Sequence, residues 1–139
     1  MLNFSARVFE ASVIFCAVVG GSPALLALNP SPAPSLWEHN GSLMYLVADG
    51  SFREFHYHDP RPAVQNAGAR PGSLLFKGRS FNGRYVGVAY IFNRKCGQFA
   101  FEVSGPILDD FERVQLQGNA PRVGADCVIR GYVTSTLDC

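Results

Sequence analysis

Hydrophobic and polar positions alternate most clearly between Gly72 and Cys96, where two runs of β-forming residues flank Asn82-Gly83. Asn-Gly between alternating apolar residues is the strongest short-range hairpin signal, because both residues tolerate the positive φ that a two-residue turn demands. With these two as the turn, Phe81 faces Arg84 and the side chains sort by parity. Leu74, Phe76, Gly78, Tyr85, Gly87, Ala89 and Ile91 fall on one face, the expected core wall. Leu75, Lys77, Arg79, Arg84, Val86, Val88, Tyr90 and Phe92 fall on the other. Gly78 lies opposite Gly87, and facing glycines let a sheet bend sharply.

The same reading predicts strands over Ser42–Ala48 and Ser51–His58, joined at Asp49-Gly50. Asp59-Pro60-Arg61-Pro62 ends the second of them, since proline removes a donor and bends the chain. Residues 63–72 are expected to be irregular, with at most a helical turn at Ala63–Ala67 before Gly68 and Pro71. Further strands are predicted at Gln98–Ser104, stopped by Gly105-Pro106, at Glu112–Gln117, and at Cys127–Thr136 after a loop from Gly118 to Ala125. Trp37, the single tryptophan, is expected to plug one end of the core. Six to seven short strands joined by tight turns predict an all-β fold, a small antiparallel meander curled into a barrel, with a two-sheet sandwich as the alternative. Composition agrees: 14 Gly, 9 Pro and 11 Phe in 139 residues supply turn punctuation and bulky β-formers.

The first residues have the layout of a signal peptide, expected to span 1–24 with cleavage after 27 as the alternative. One positive charge at Arg7 precedes an apolar stretch from Ala11 to Val19, and Ser22 and Ala24 hold the small-residue positions. Gly20, Gly21 and Pro23 interrupt the run as a membrane anchor, so no membrane span is expected after cleavage. A Pro-rich linker follows over 25–35, and a single β domain over 36–139. These features predict an exported protein, periplasmic or extracellular.

Export would place Cys96, Cys127 and Cys139 in an oxidising compartment. Cys96 follows one strand and Cys127 opens another, whereas Cys139 closes the sequence, where chains fray. A Cys96–Cys127 disulfide is therefore expected, worth roughly 3 kcal/mol by constraining the unfolded chain.

Charge is segregated. Arg61 to Lys95 contains seven basic residues and no acid, while 25–60 carries Glu38, Asp49, Glu54 and Asp59 against Arg53, and 96–139 carries six acids against three arginines. Lys77, Arg79 and Arg84 share a face with Tyr90, a basic and partly aromatic surface suited to an anionic polymer or an envelope component. Opposite charges on neighbouring strands would neutralise it.

Glu54, His56 and His58 alternate on one strand face, a spacing at which imidazoles share a metal ion. Gly50, His56 and His58 together resemble the first half of the cupin metal motif, over nine residues. That resemblance implies a metal-dependent enzyme centred on His56 and His58. A cupin would also supply a Glu shortly after, where Pro62 and Ala63 stand, and a later His, where none exists. No nucleophile elbow, Walker or dinucleotide-binding fingerprint is present. Asn40-Gly41-Ser42 is a glycosylation acceptor in a eukaryotic secretory route.

The leading expectation is a non-enzymatic exported domain that binds an anionic ligand through its basic central hairpin and needs no cofactor. An envelope structural or inhibitor-like domain acting through protein contacts is the second, and the cupin-like metal enzyme the third.

Overall fold

A computed structural model of the chain describes residues 34–139; the expected signal peptide and most of the linker lie outside the described residues. The central hairpin forms as its pattern requires. Strand β4 (Leu74–Phe81) pairs with β5 (Arg84–Asn93), Phe81 opposite Arg84 and Gly78 opposite Gly87. Asn82 and Gly83 both take positive φ, 49° and 70°.

The other strands are β1 (Ser35–His39), β2 (Ser42–Asp49), β3 (Phe52–Asp59), β6 (Gly97–Leu108), β7 (Arg113–Val123) and β8 (Ile129–Asp138). All eight follow one another in chain order in a single antiparallel sheet curled into a half-barrel, with β1 and β8 as its two edges. The fold is thus all-β and a meander, without the second sheet of a sandwich, and with one strand more than the pattern predicted.

The additional strand is β1, which meets β2 through a second Asn-Gly turn. Asn40 and Gly41 have φ of 48° and 80°, and His39 pairs with Ser42. Two expected strand ends also move. β6 continues through Gly105-Pro106 because the β6–β7 pairing has a gap there, between Ser104↔Gln117 and Ile107↔Val114, so no ladder bond depends on the proline nitrogen. β7 continues through the expected Gly118–Val123 loop because it has parted from β6 after Gly118 and pairs with β8 alone, an edge position that admits Pro121.

A bulge makes a third difference. Phe55 pairs with Phe76 but His56 pairs with Leu74, leaving Leu75 as an extra residue. Strict alternation would point Leu75 outward; the bulge turns it in, and both Leu75 and Phe76 are buried.

One cross-sheet row runs through Arg53, Gly78, Gly87, Val103, Gly118 and Ser135. Side chains have no room at its glycines. A Cβ on Gly78 would lie 2.2 Å from the Val86 carbonyl oxygen, and one on Gly118 2.1 Å from that of Glu102. Aromatic rings fill the concave side: Phe76 stacks on Tyr85 at 6.0 Å, and Trp37 meets Phe55 edge-on at 5.4 Å. Trp37 therefore does pack against the core, together with buried Met44, Phe55, Val114, Leu116 and Leu137.

A short helix, α1 (Pro62–Asn66), covers one end of the half-barrel, opened by Pro62 and followed by buried Ala69. Buried Ser42 anchors it by accepting the Arg61 amide at 2.9 Å. At the same end of the sheet, Cys96 and Cys127 form a disulfide with Cα atoms 5.3 Å apart, joining the β5–β6 tip to the β7–β8 tip. Cys139 does not fray: it exchanges both backbone hydrogen bonds with Val114, at 2.8 and 2.9 Å. Among the described residues, no helix is long and apolar enough to cross a membrane.

Candidate binding hollow and charged faces

The convex face of the hairpin carries Lys77, Arg79 and Arg84, all exposed. Register decides their electrostatic company. Glu54 stands directly opposite Lys77 on β3, and Val88 separates Lys77 from Glu102 on β6. Arg79 donates to Ser51 Oγ at 3.1 Å. None of the three is in an ion pair among the described residues. The remaining cations of the basic segment disperse: Arg70 donates to the Gln65 and Ala69 carbonyls, and Lys95 to that of Ala125. The seven basic residues are contiguous in sequence but do not form one surface, because a meander interleaves them with acidic strands on either side.

Glu54 and His56 do come together. His56 Nε2 lies 2.8 Å from Glu54 Oε2, and Nδ1 donates to the Gly72 carbonyl at 3.1 Å, while Tyr45 stacks on the ring at 5.1 Å. Nδ1 is thus tied to the backbone, and Nε2 faces the Glu54 carboxylate. His58 is exposed at the strand end. His39 is tied elsewhere, its Nδ1 donating to the Asp138 carbonyl at 2.9 Å. Among the described residues, no three His, Cys, Asp or Glu side chains are grouped to hold a metal ion.

Beneath α1 the half-barrel has an open hollow of about 310 Å³. Tyr57, Leu75, Phe92, Phe101 and Leu137 supply its apolar wall, and Val64 of α1 closes one side. Tyr57 and Phe92 meet edge-on at 6.0 Å. Tyr90 also lines the hollow, beyond the last β4–β5 pair. Its polar side is formed by Arg61, His39, Asn40, Ser135 and Thr136.

Tyr57 is the inward residue of a strand whose outward residues are Glu54, His56 and His58. Burial pushes its hydroxyl up to about 12, Cys139 adds to the rise, and the nearby Arg61 charge opposes it. Tyr57 is therefore a neutral phenol at physiological pH, able to donate a hydrogen bond. Arg61 makes no ion pair among the described residues. Sequence reasoning took Arg61 as part of a strand-ending turn. The available signal was a lone cation held between Pro60 and Pro62, just beyond a strand with alternating aromatics.

Comparison of the chain with protein-family models, with curated proteins and with solved structures finds no match. The chemistry of the hollow and of the charged faces is therefore what a functional reading rests on.

Proposed function

We propose that the chain is an exported, non-enzymatic binding domain, and that its ligand is a small molecule with an apolar body and an anionic group, held in the hollow beneath α1. One observation carries this reading: Arg61, a cation without an ion-pair partner among the described residues, and Tyr57, a neutral phenol, stand together at a concavity walled by Leu75, Phe92, Phe101 and Leu137. Mostly apolar concavities with a few convergent polar groups are the usual form of small-molecule sites, and about 310 Å³ is at the small end of their range. Arg61 and the Tyr57 hydroxyl would both donate to a carboxylate, while Leu75, Phe92 and Phe101 cover the apolar part. Export is supported by the Cys96–Cys127 disulfide, which belongs to oxidising compartments.

Octanoate and octanol separate the two contributions. Calorimetry should show octanoate binding more tightly, with R61Q abolishing the difference and K77Q/R79Q/R84Q leaving it intact. Equal affinity for acid and alcohol in the native protein would refute the reading.

A second reading keeps the convex hairpin face as the site for an anionic polymer, because Lys77, Arg79 and Arg84 are exposed and in no ion pair among the described residues. Heparin retention that falls with K77Q/R79Q/R84Q and not with R61Q would favour it.

A further inference from the structure

The ladder of the β1–β2 hairpin determines which backbone groups of the edge strand have no partner strand among the described residues. In a two-residue hairpin the residues flanking the turn exchange both hydrogen bonds, and the pattern then alternates. His39↔Ser42 is that flanking pair, so His39, Trp37 and Ser35 bond to β2. Leu36 and Glu38 consequently direct their N–H and C=O groups away from the sheet. Leu36 is also 56% exposed, an apolar side chain on an open edge, the combination that natural sheets usually avoid.

This free edge borders a groove of about 830 Å³. Its other wall comes from the β6–β7 connection and the end of β8. Glu38, Asp109, Glu112 and Asp138 line it against a single base, Arg113, which Asp138 already holds in a bidentate pair. One Glu38 oxygen accepts the Gly41 amide at 2.9 Å. Phe111 stands on the rim, 75% exposed, and Asp109, Asp110 and Phe111 all have φ between 52° and 73°. Left-handed backbone is unfavourable for residues with a Cβ.

We infer that this groove receives an extended basic segment of a partner protein, which adds to the free edge of β1 as a ninth strand. Main-chain bonds to Leu36 and Glu38 supply the docking, the mode of strand addition. The surplus of carboxylates selects the occupant: a cation placed opposite Glu38 and an apolar residue opposite Leu36, two positions apart on one face of the incoming strand. Phe111 then covers the apolar part of that segment. The inference is independent of the hollow beneath α1.

The test uses two blocked heptapeptides, Lys-Val-Lys-Val-Lys-Val-Lys and its glutamate counterpart, with amide hydrogen exchange as readout. The basic peptide should bind in a salt-sensitive way and slow exchange specifically at the Leu36 and Glu38 amides. E112K should weaken it by about tenfold. L36P removes one outward N–H without touching the bonds to β2, so it should abolish binding while circular dichroism stays native. Equal binding of both peptides, or protection elsewhere, overturns the inference. So does protection of Leu36 and Glu38 without peptide: concentration-independent protection assigns the groove to another part of this chain, and concentration-dependent protection to a second copy.

Discussion

Gly78 and Gly87 face each other with no room between them for a side chain: a Cβ on either would lie 2.2 Å from a carbonyl oxygen of the opposite strand. The contact is backbone on backbone, so no rotamer change can relieve it. G87A should therefore force the two strands apart and destabilise the fold by about 3 kcal/mol, as overpacking of a tight site does. G83A, at a turn glycine with open space around it, should be milder, its cost limited to the positive φ of 70°. Urea midpoints of the two variants check the order.

Phe76 is completely buried and lies against both Phe55 and Tyr85. F76A should cost about 3–5 kcal/mol through the lost transfer energy and the cavity left behind. F81A, at an exposed position of the same strand, should cost less than about 0.5 kcal/mol. Thermal denaturation of the pair distinguishes packing from strand propensity.

Loss of the Cys96–Cys127 bond should lower stability by about 3 kcal/mol, whether by reductant or by C96S/C127S. Because the bond joins the tips of two hairpins that are not paired with each other there, the main effect should be on the unfolded chain, with the native dichroism spectrum retained. Denaturant titration with and without reductant measures it.

Stability should fall as the medium becomes alkaline. Burial raises the Tyr57 hydroxyl from 10.0 to about 12 and the Cys139 thiol from 9.0 to about 12. Each folded value lies above its unfolded one, so the unfolded chain loses protons first. The contribution is complete below about pH 9 and is lost as pH rises towards 12. Y57F and C139S should each flatten the alkaline limb of the stability profile, leaving the neutral region nearly unchanged.

Much of the fold was legible because it is written in local signals. Asn82-Gly83 fixed a register, and the register put Phe76, Tyr85 and Ala89 on the buried face with Gly78 against Gly87. The parallel signal at Asn40-Gly41 was as strong, yet β1 has only five residues, too few for periodicity to announce a strand on its far side. Leu75 escaped because alternation cannot anticipate a bulge, whose cause is the packing of Leu75 and Phe76 into one core. Pro106 and Pro121 read as strand breakers because their tolerance depends on whether a neighbour needs the missing N–H, a property of the sheet and not of the local sequence.

The site was less legible for the same physical reason. Charge density along the chain is a one-dimensional quantity, and the register interleaves it, setting Glu54 beside Lys77 and separating Arg61 from Arg79. The hollow joins Tyr57, Phe92, Phe101 and Leu137, which come from four strands. The Cys96–Cys127 pair was predictable because only loop position and the expectation of export were needed to choose it.

The sulfur link also has a mechanical consequence. β6 and β7 separate beyond Val103 and Gly118, and the link rejoins them at the tips, so the path between Cys96 and Cys127, 31 positions apart in sequence, is a covalent ring. Tension applied at residues 34 and 139 would bypass that ring, withholding roughly 100 Å of contour from extension. An oxidised molecule stretched between two surfaces would yield a shorter ribbon than a reduced one, and the difference would be a direct ruler for the state of the link.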